Sequence, residues 1–120
     1  MTRLNCIVIL IGIALLCVFA EELYSDQYDH IDINNILNND KLRDQYYNCY
    51  METEPCLTAD AKFFREIAGE AFQTKCKRCT EKQKEMMDSL VDWYTKNKPD
   101  LWQKIVEKSL EDMKKKNAGQ

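Results

Sequence analysis

One histidine, His30, is all the imidazole that this 120-residue sequence offers for acid–base chemistry. It stands in a polar stretch that reads as extended and exposed, and no Ser–His–Asp or Cys–His set can be assembled around it. The chain is not expected to be an enzyme, and nothing in it implies a cofactor or a metal. Surplus basic charge is missing too: 17 lysines and arginines face 20 aspartates and glutamates, a net charge of −3. Surfaces built to hold phosphates are normally basic, which argues against a nucleic-acid partner. Prolines number two, Pro55 and Pro99, and glycines three. There is no internal repeat, no low-complexity linker and no N-x-S/T acceptor site.

Only one long apolar run is present, from Cys6 to Phe19. Arg3 precedes it, and Val18 and Ala20 supply the small-residue pattern of a cleavage site before the acidic pair Glu21-Glu22. The run falls short of the roughly 20 residues that a membrane span needs. Residues 1 to 20 are therefore expected to be a secretory signal peptide. Residues 21 to 120 are expected to form one secreted, extracellular, monomeric domain with no membrane span. Without Arg3 the net charge becomes −4. A domain of this size buries a modest core and gains from covalent cross-links.

Four cysteines, Cys49, Cys56, Cys76 and Cys79, lie in that domain. In an oxidising compartment they are expected to form disulfides. Three pairings are open, and sequence alone does not choose between them. Nearness along the chain favours Cys49 with Cys56 and Cys76 with Cys79, small loops that would each contribute roughly 2 kcal/mol. The Cys76-x-x-Cys79 spacing also occurs in thioredoxin-like and zinc sites. The β-α-β context of the former is absent, and secretion favours a structural disulfide over both.

No segment of the domain alternates apolar and polar residues between hairpin turns, and helical spacing dominates. Residues 21 to 30 read as polar and extended. Asp32 can cap a short helix with Ile33, Ile36 and Leu37 on one face. Asn38-Asn39-Asp40 breaks it and caps a second helix, which Glu54-Pro55 ends. Thr58 or Asp60 can cap a third, running to about Thr74, with Phe63, Phe64, Ile67, Ala68, Ala71 and Phe72 at three- and four-residue steps. Thr80 and Gln83 form a capping box for a fourth, with Met86, Met87, Leu90, Val91 and Tyr94 on its buried face. Pro99 suits the first position of a fifth, whose stripe is Leu101, Trp102, Ile105, Val106 and Leu110. Lys114 to Gln120 reads as a frayed, solvated tail. Such stripes are first of all core. Met86 and Met87 add adaptable surface, and Tyr46, Tyr47 and Tyr94 add rings with an orienting hydroxyl, as a ligand pocket would use.

Several motifs resemble those of the insect chemosensory proteins. They are Tyr28-Asp29-His30-Ile31-Asp32, Ile36 to Leu42, Tyr46-Tyr47-Asn48-Cys49, Pro55-Cys56, Cys76 to Lys84, and Lys96 to Trp102. Together they span nearly all of residues 24 to 110. The resemblance implies an all-α fold of five or six short helices around an apolar channel, with two local disulfides, Cys49–Cys56 and Cys76–Cys79. It implies a secreted carrier that reversibly binds small hydrophobic ligands, fatty-acid-like or semiochemical, without catalysis. By matching positions it points to Tyr46 and Trp102 as channel wall, with Leu42, Leu90, Val91, Ile105 and Val106 beside them. Ile67 and Met87 complete the candidate set. The chain departs from the family pattern in the 19 residues between Cys56 and Cys76 and in Met86-Met87. The rival reading is a secreted signalling or interaction protein whose outer surface meets a receptor or host protein.

Overall fold

In the computed structural model, which describes residues 4–11 and 14–119, helix starts fall where local capping chemistry sets them. α1 (Ile33–Leu37) follows Asp32, whose carboxylate accepts from the Asn34 N–H. α2 (Asp40–Tyr50) follows Asn39, whose side-chain oxygen accepts from the Leu42 N–H. For α3 (Ala59–Thr74) the cap is Thr58, accepting from the Ala61 N–H. α4 (Glu81–Asn97) opens on the reciprocal Thr80–Gln83 box, and α5 (Pro99–Ala118) opens on its proline. Each cap satisfies N–H groups that the first helical turn leaves without a partner. From Glu22 onward the described residues contain these five helices and no strand, the all-α architecture expected.

Ahead of this domain lie β1 (Leu4–Ile11) and β2 (Ala14–Glu21), an antiparallel pair in register from Leu4 opposite Glu21 to Ile11 opposite Ala14. Among the described residues the backbone of the hairpin approaches none of the helices. An Ile-, Leu- and Val-rich run with no helix face beside it satisfies its backbone groups by pairing with itself. Arg3, at the basic start of the expected leader, and Gln120, at the end of the expected tail, lie outside the described residues.

α5 runs along α3 and against α4, α2 lies against α3, and α1 bridges α2 and α4. Gly69 permits the close approach of α3 and α5, since a Cβ there would stand 3.2 Å from Asp112 Cβ. Both disulfides join neighbours in sequence, Cys49 to Cys56 and Cys76 to Cys79, with Cα separations of 4.7 and 4.9 Å. At the second corner Lys75 and Cys76 both take left-handed backbone conformations, with φ of 55° and 61°. The segment before α1 straps this corner: the Tyr24 N–H donates to Arg78 O, and the Tyr24 hydroxyl donates to Glu70 at 2.6 Å.

Two expectations for α5 are corrected. Its helix continues to Ala118 rather than fraying at Lys114, because Lys116 reaches Glu70 and Lys115 pairs with Glu111 one turn back. The basic last turn also suits the negative end of the helix dipole. Leu110 does not join the buried stripe; it is 47 % exposed. Lys108 and Ser109 take the buried positions beside it, since partners exist there for both. Lys108 meets Asp112 at 3.0 Å and Glu52 at 3.5 Å, and the Ser109 hydroxyl accepts from Gln73 and donates to Val106 O.

The centre of the bundle is sparsely filled: among the described residues Leu37, Tyr94 and Ile105 are the large apolar side chains most nearly enclosed. A well-packed core would enclose more of them.

Candidate functional site

Four helices turn one face each toward a common space. α1 supplies Ile33, Ile36 and Leu37, and α2 supplies Arg43, Tyr46, Tyr47 and Tyr50 at helical i, i+3, i+4 and i+7 positions. α3 adds Phe64, Ile67, Ala68 and Phe72, and α4 adds Met86, Met87, Leu90 and Tyr94 on the same spacing. From α5 only Ile105 reaches it. Together they enclose an apolar cavity of about 160 Å³ that communicates with solvent. Aromatic rings brace it, with Tyr47 stacked on Tyr94 at 6.3 Å and Tyr50 edge-on to Phe72 at 6.1 Å.

The polar atoms on this wall are few. The Tyr46 hydroxyl donates to the Asp60 carboxylate, and burial together with that carboxylate holds its pKa well above the ordinary phenol value. Burial also pushes Tyr94 up to about 12, against the nearby Arg43 charge, which favours the phenolate. The Tyr50 hydroxyl is buried beside the Asp112 carboxylate; burial, then the charge and hydrogen-bonding pull of Asp112, then Glu52, raise its pKa. These phenols remain neutral donors throughout the physiological range. Gln83 reaches the wall but is spent locally, donating to Ser25 O and accepting from the Thr80 N–H. Arg43 is 5 % exposed. Its Nη1 donates to Leu37 O and to Asp40, both at 3.0 Å, and its guanidinium lies 4.4 Å over the Trp93 ring.

Of the residues expected to form the site, the structure brings Tyr46, Ile67, Met87, Leu90 and Ile105 to the wall. Leu42 lies instead in a separate cleft of about 60 Å³, with Tyr46 and Leu57. Val91, Trp102 and Val106 stand off the wall. Trp102 packs edge-on against Phe72 at 5.6 Å, so Phe72 rather than the indole meets the cavity. Val91 and Val106 are each one residue, about 100° of helix rotation, past the wall positions Leu90 and Ile105. Phe64, Ala68 and Phe72 carry the four-residue periodicity that marks a face in the sequence, yet periodicity does not tell a lining face from a packed one. Arg43 carries no such signal, because a charged residue in a polar stretch reads as solvated.

Among the described residues no helix is long and apolar enough to cross a membrane, and no three His, Cys, Asp or Glu side chains converge as metal ligands.

A family model described as the insect pheromone-binding family, A10/OS-D, matches residues 24–117. The chain is 31% identical over 102 residues to ejaculatory bulb-specific protein 3 of Drosophila melanogaster, covering 85% of this chain and 80% of that one. It is 34% identical over 87 residues to allergen Tha p 1 of Thaumetopoea pityocampa, covering 72% and 68% of the two chains. Among solved structures it is similar to a chemosensory protein in complex with bromo-dodecanol. The TM-score is 0.68 at 31% identity, over 74% of this chain and 88% of that one.

Proposed function

The chain belongs to the insect pheromone-binding family A10/OS-D, whose members are binding proteins rather than enzymes, and on that premise we propose that it carries small hydrophobic ligands in its central cavity. The ligand is a fatty-acid-like compound or a semiochemical, bound reversibly and released unchanged. The observation that carries this reading is the apolar space of about 160 Å³ where a bundle of this size would otherwise pack. The bromo-dodecanol held by the solved relative, an apolar chain with a small polar end, is of the kind such walls suit.

Magnitudes agree with reversible carriage. An apolar cavity of about 150 Å³ takes a benzene. A longer chain therefore needs the wall to give, and Met86 and Met87 on α4 are the side chains best suited to yield. Burial contributes roughly 0.8 kcal/mol per methylene, so a fully enclosed sixteen-carbon chain gains about 12 kcal/mol. Association costs about 4 kcal/mol or more, leaving about micromolar affinity.

Secretion belongs to the same reading. Cleavage after Ala20 would remove nearly all of the hairpin, and none of the described residues that line the cavity belongs to it. N-terminal sequencing of protein recovered outside the cell is expected to begin at Glu21; a chain retaining residues 1 to 20 there would contradict this. For carriage, native mass spectrometry of protein purified from its own tissue is expected to show a co-purifying lipid-sized adduct. A clean unliganded mass, with no displacement of a fluorescent fatty-acid analogue, would sink the proposal and favour a role through the outer surface.

A further inference from the structure

Resting on the carrier reading, we propose that Arg43 anchors the ligand's headgroup and makes the cavity selective for a carboxylate over a neutral polar end. The chain as a whole is acidic, at −3, yet among the described residues the charged side chains on the cavity wall are two arginines, Arg43 and Arg65, with no aspartate or glutamate. Arg43 is buried to 5 % exposure, and its Nε is buried without a hydrogen-bond acceptor. A buried donor in that condition is penalised until an acceptor arrives.

The rest of the guanidinium is held in place. Nη1 is committed to Leu37 O and Asp40, and the ring of Trp93 lies 4.4 Å from the guanidinium carbon. Nη2 has only the Asp44 carboxylate, 3.6 Å away and beyond hydrogen-bond distance. The edge bearing Nε and Nη2 thus donates no hydrogen bond, Nη2 being held only in the ion pair with Asp44, and it is the edge that matches two carboxylate oxygens side by side. Asp40 and Asp44 offset the charge only in part, because their side chains are 90% and 57% exposed and water solvates them.

The Tyr50 hydroxyl lies on the same wall seven residues further along α2, about 10 Å along the helix axis. Its neighbours Asp112 and Glu52 are carboxylates that would repel an acid. The two ends of the wall are therefore of opposite character. The acid headgroup belongs at Arg43, and the tail runs along Leu37 and Ala68 toward Phe72.

The test compares dodecanoate with 1-dodecanol, both as monomers at pH 7, by displacement of a fluorescent probe from the full-length protein. The expected result is about tenfold tighter binding of the acid, with Arg43→Met abolishing the difference and Arg43→Lys retaining part of it. Equal affinities in the unaltered protein would overturn the proposal whether or not the variants fold, and so would an acid preference that survives in Arg43→Met. If the alcohol binds and the acid gains nothing, the headgroup assignment alone falls. If neither binds, the carrier reading falls and takes this one with it.

Discussion

Ala68 offers a direct measure of the hollow centre. It sits on α3 with its methyl group on the cavity wall, between the rings of Phe64 and Phe72 one turn to either side. Ala68→Leu adds three carbons pointing into the space. If the space is empty in the free protein, those carbons remove existing void, and stability should rise by about 1–2 kcal/mol, as cavity filling commonly does. For a domain of about 100 residues that is a melting-point increase of roughly 4–8 °C per kcal/mol. The same carbons exclude about three ligand methylenes, each contributing roughly 0.8 kcal/mol, so affinity for a long-chain ligand should fall roughly 60-fold. Thermal melting of the unliganded protein and displacement titration with acids of eight to sixteen carbons read the two effects separately, and the preferred chain should shorten by about three carbons. A filled core predicts the reverse, since overpacking costs about 1–3 kcal/mol. A lowered melting point with unchanged affinity would refute the reasoning.

Acid should weaken the corner where Tyr24, Arg78 and Lys116 converge on Glu70. Burial would raise the Glu70 pKa, but hydrogen bonds from Lys116, Tyr24 and Arg78 outweigh it and lower the value from 4.5 to about 2. A depressed carboxylate lends stability above its unfolded pKa and loses it as pH falls through the folded one. Stability should therefore decline between about pH 5 and pH 2, and Glu70→Gln should flatten that decline in acid-unfolding curves; an unchanged slope would count against the cluster. Replacing both Cys49 and Cys56 with serine should cost about 2 kcal/mol in denaturant melts, and Cys76 with Cys79 a similar amount, because each closes only a short loop. Lys75→Gly should stabilise by about 1 kcal/mol, measured in the same melts, because the left-handed conformation at φ 55° penalises a side chain and not glycine.

Sequence reading reached furthest where the physics is local. Asp32, Asn39 and Thr58 each bond an N–H two or three residues on, and Thr80 and Gln83 bond each other, so these residues mark helix starts without knowledge of the fold. The two disulfides were legible for the same reason, since each joins cysteines a few residues apart. The residues that matter to the cavity were harder to assign. Trp102, Val91 and Val106 carry the same apolar periodicity as Phe72, Leu90 and Ile105, and burial rewards a side chain equally whether it meets a helix or a void. Which of them faces the space depends on how each helix is rotated and how closely it approaches its neighbours, as where Gly69 brings α3 against α5. Burial of Lys108 and Ser109 likewise rests on Glu52 and Gln73, partners far away in sequence.

From its residues alone the chain thus marks four capped helix starts and a fifth that opens on Pro99, favours two local disulfides, and carries the motifs of a binding family, because hydrogen-bond caps, short loops and motif order are written over a few positions each. Only the tertiary structure decides that the centre is a cavity rather than a core and that an arginine stands on its wall. Those outcomes depend on distances between helices, and no run of neighbouring residues encodes a distance of that kind.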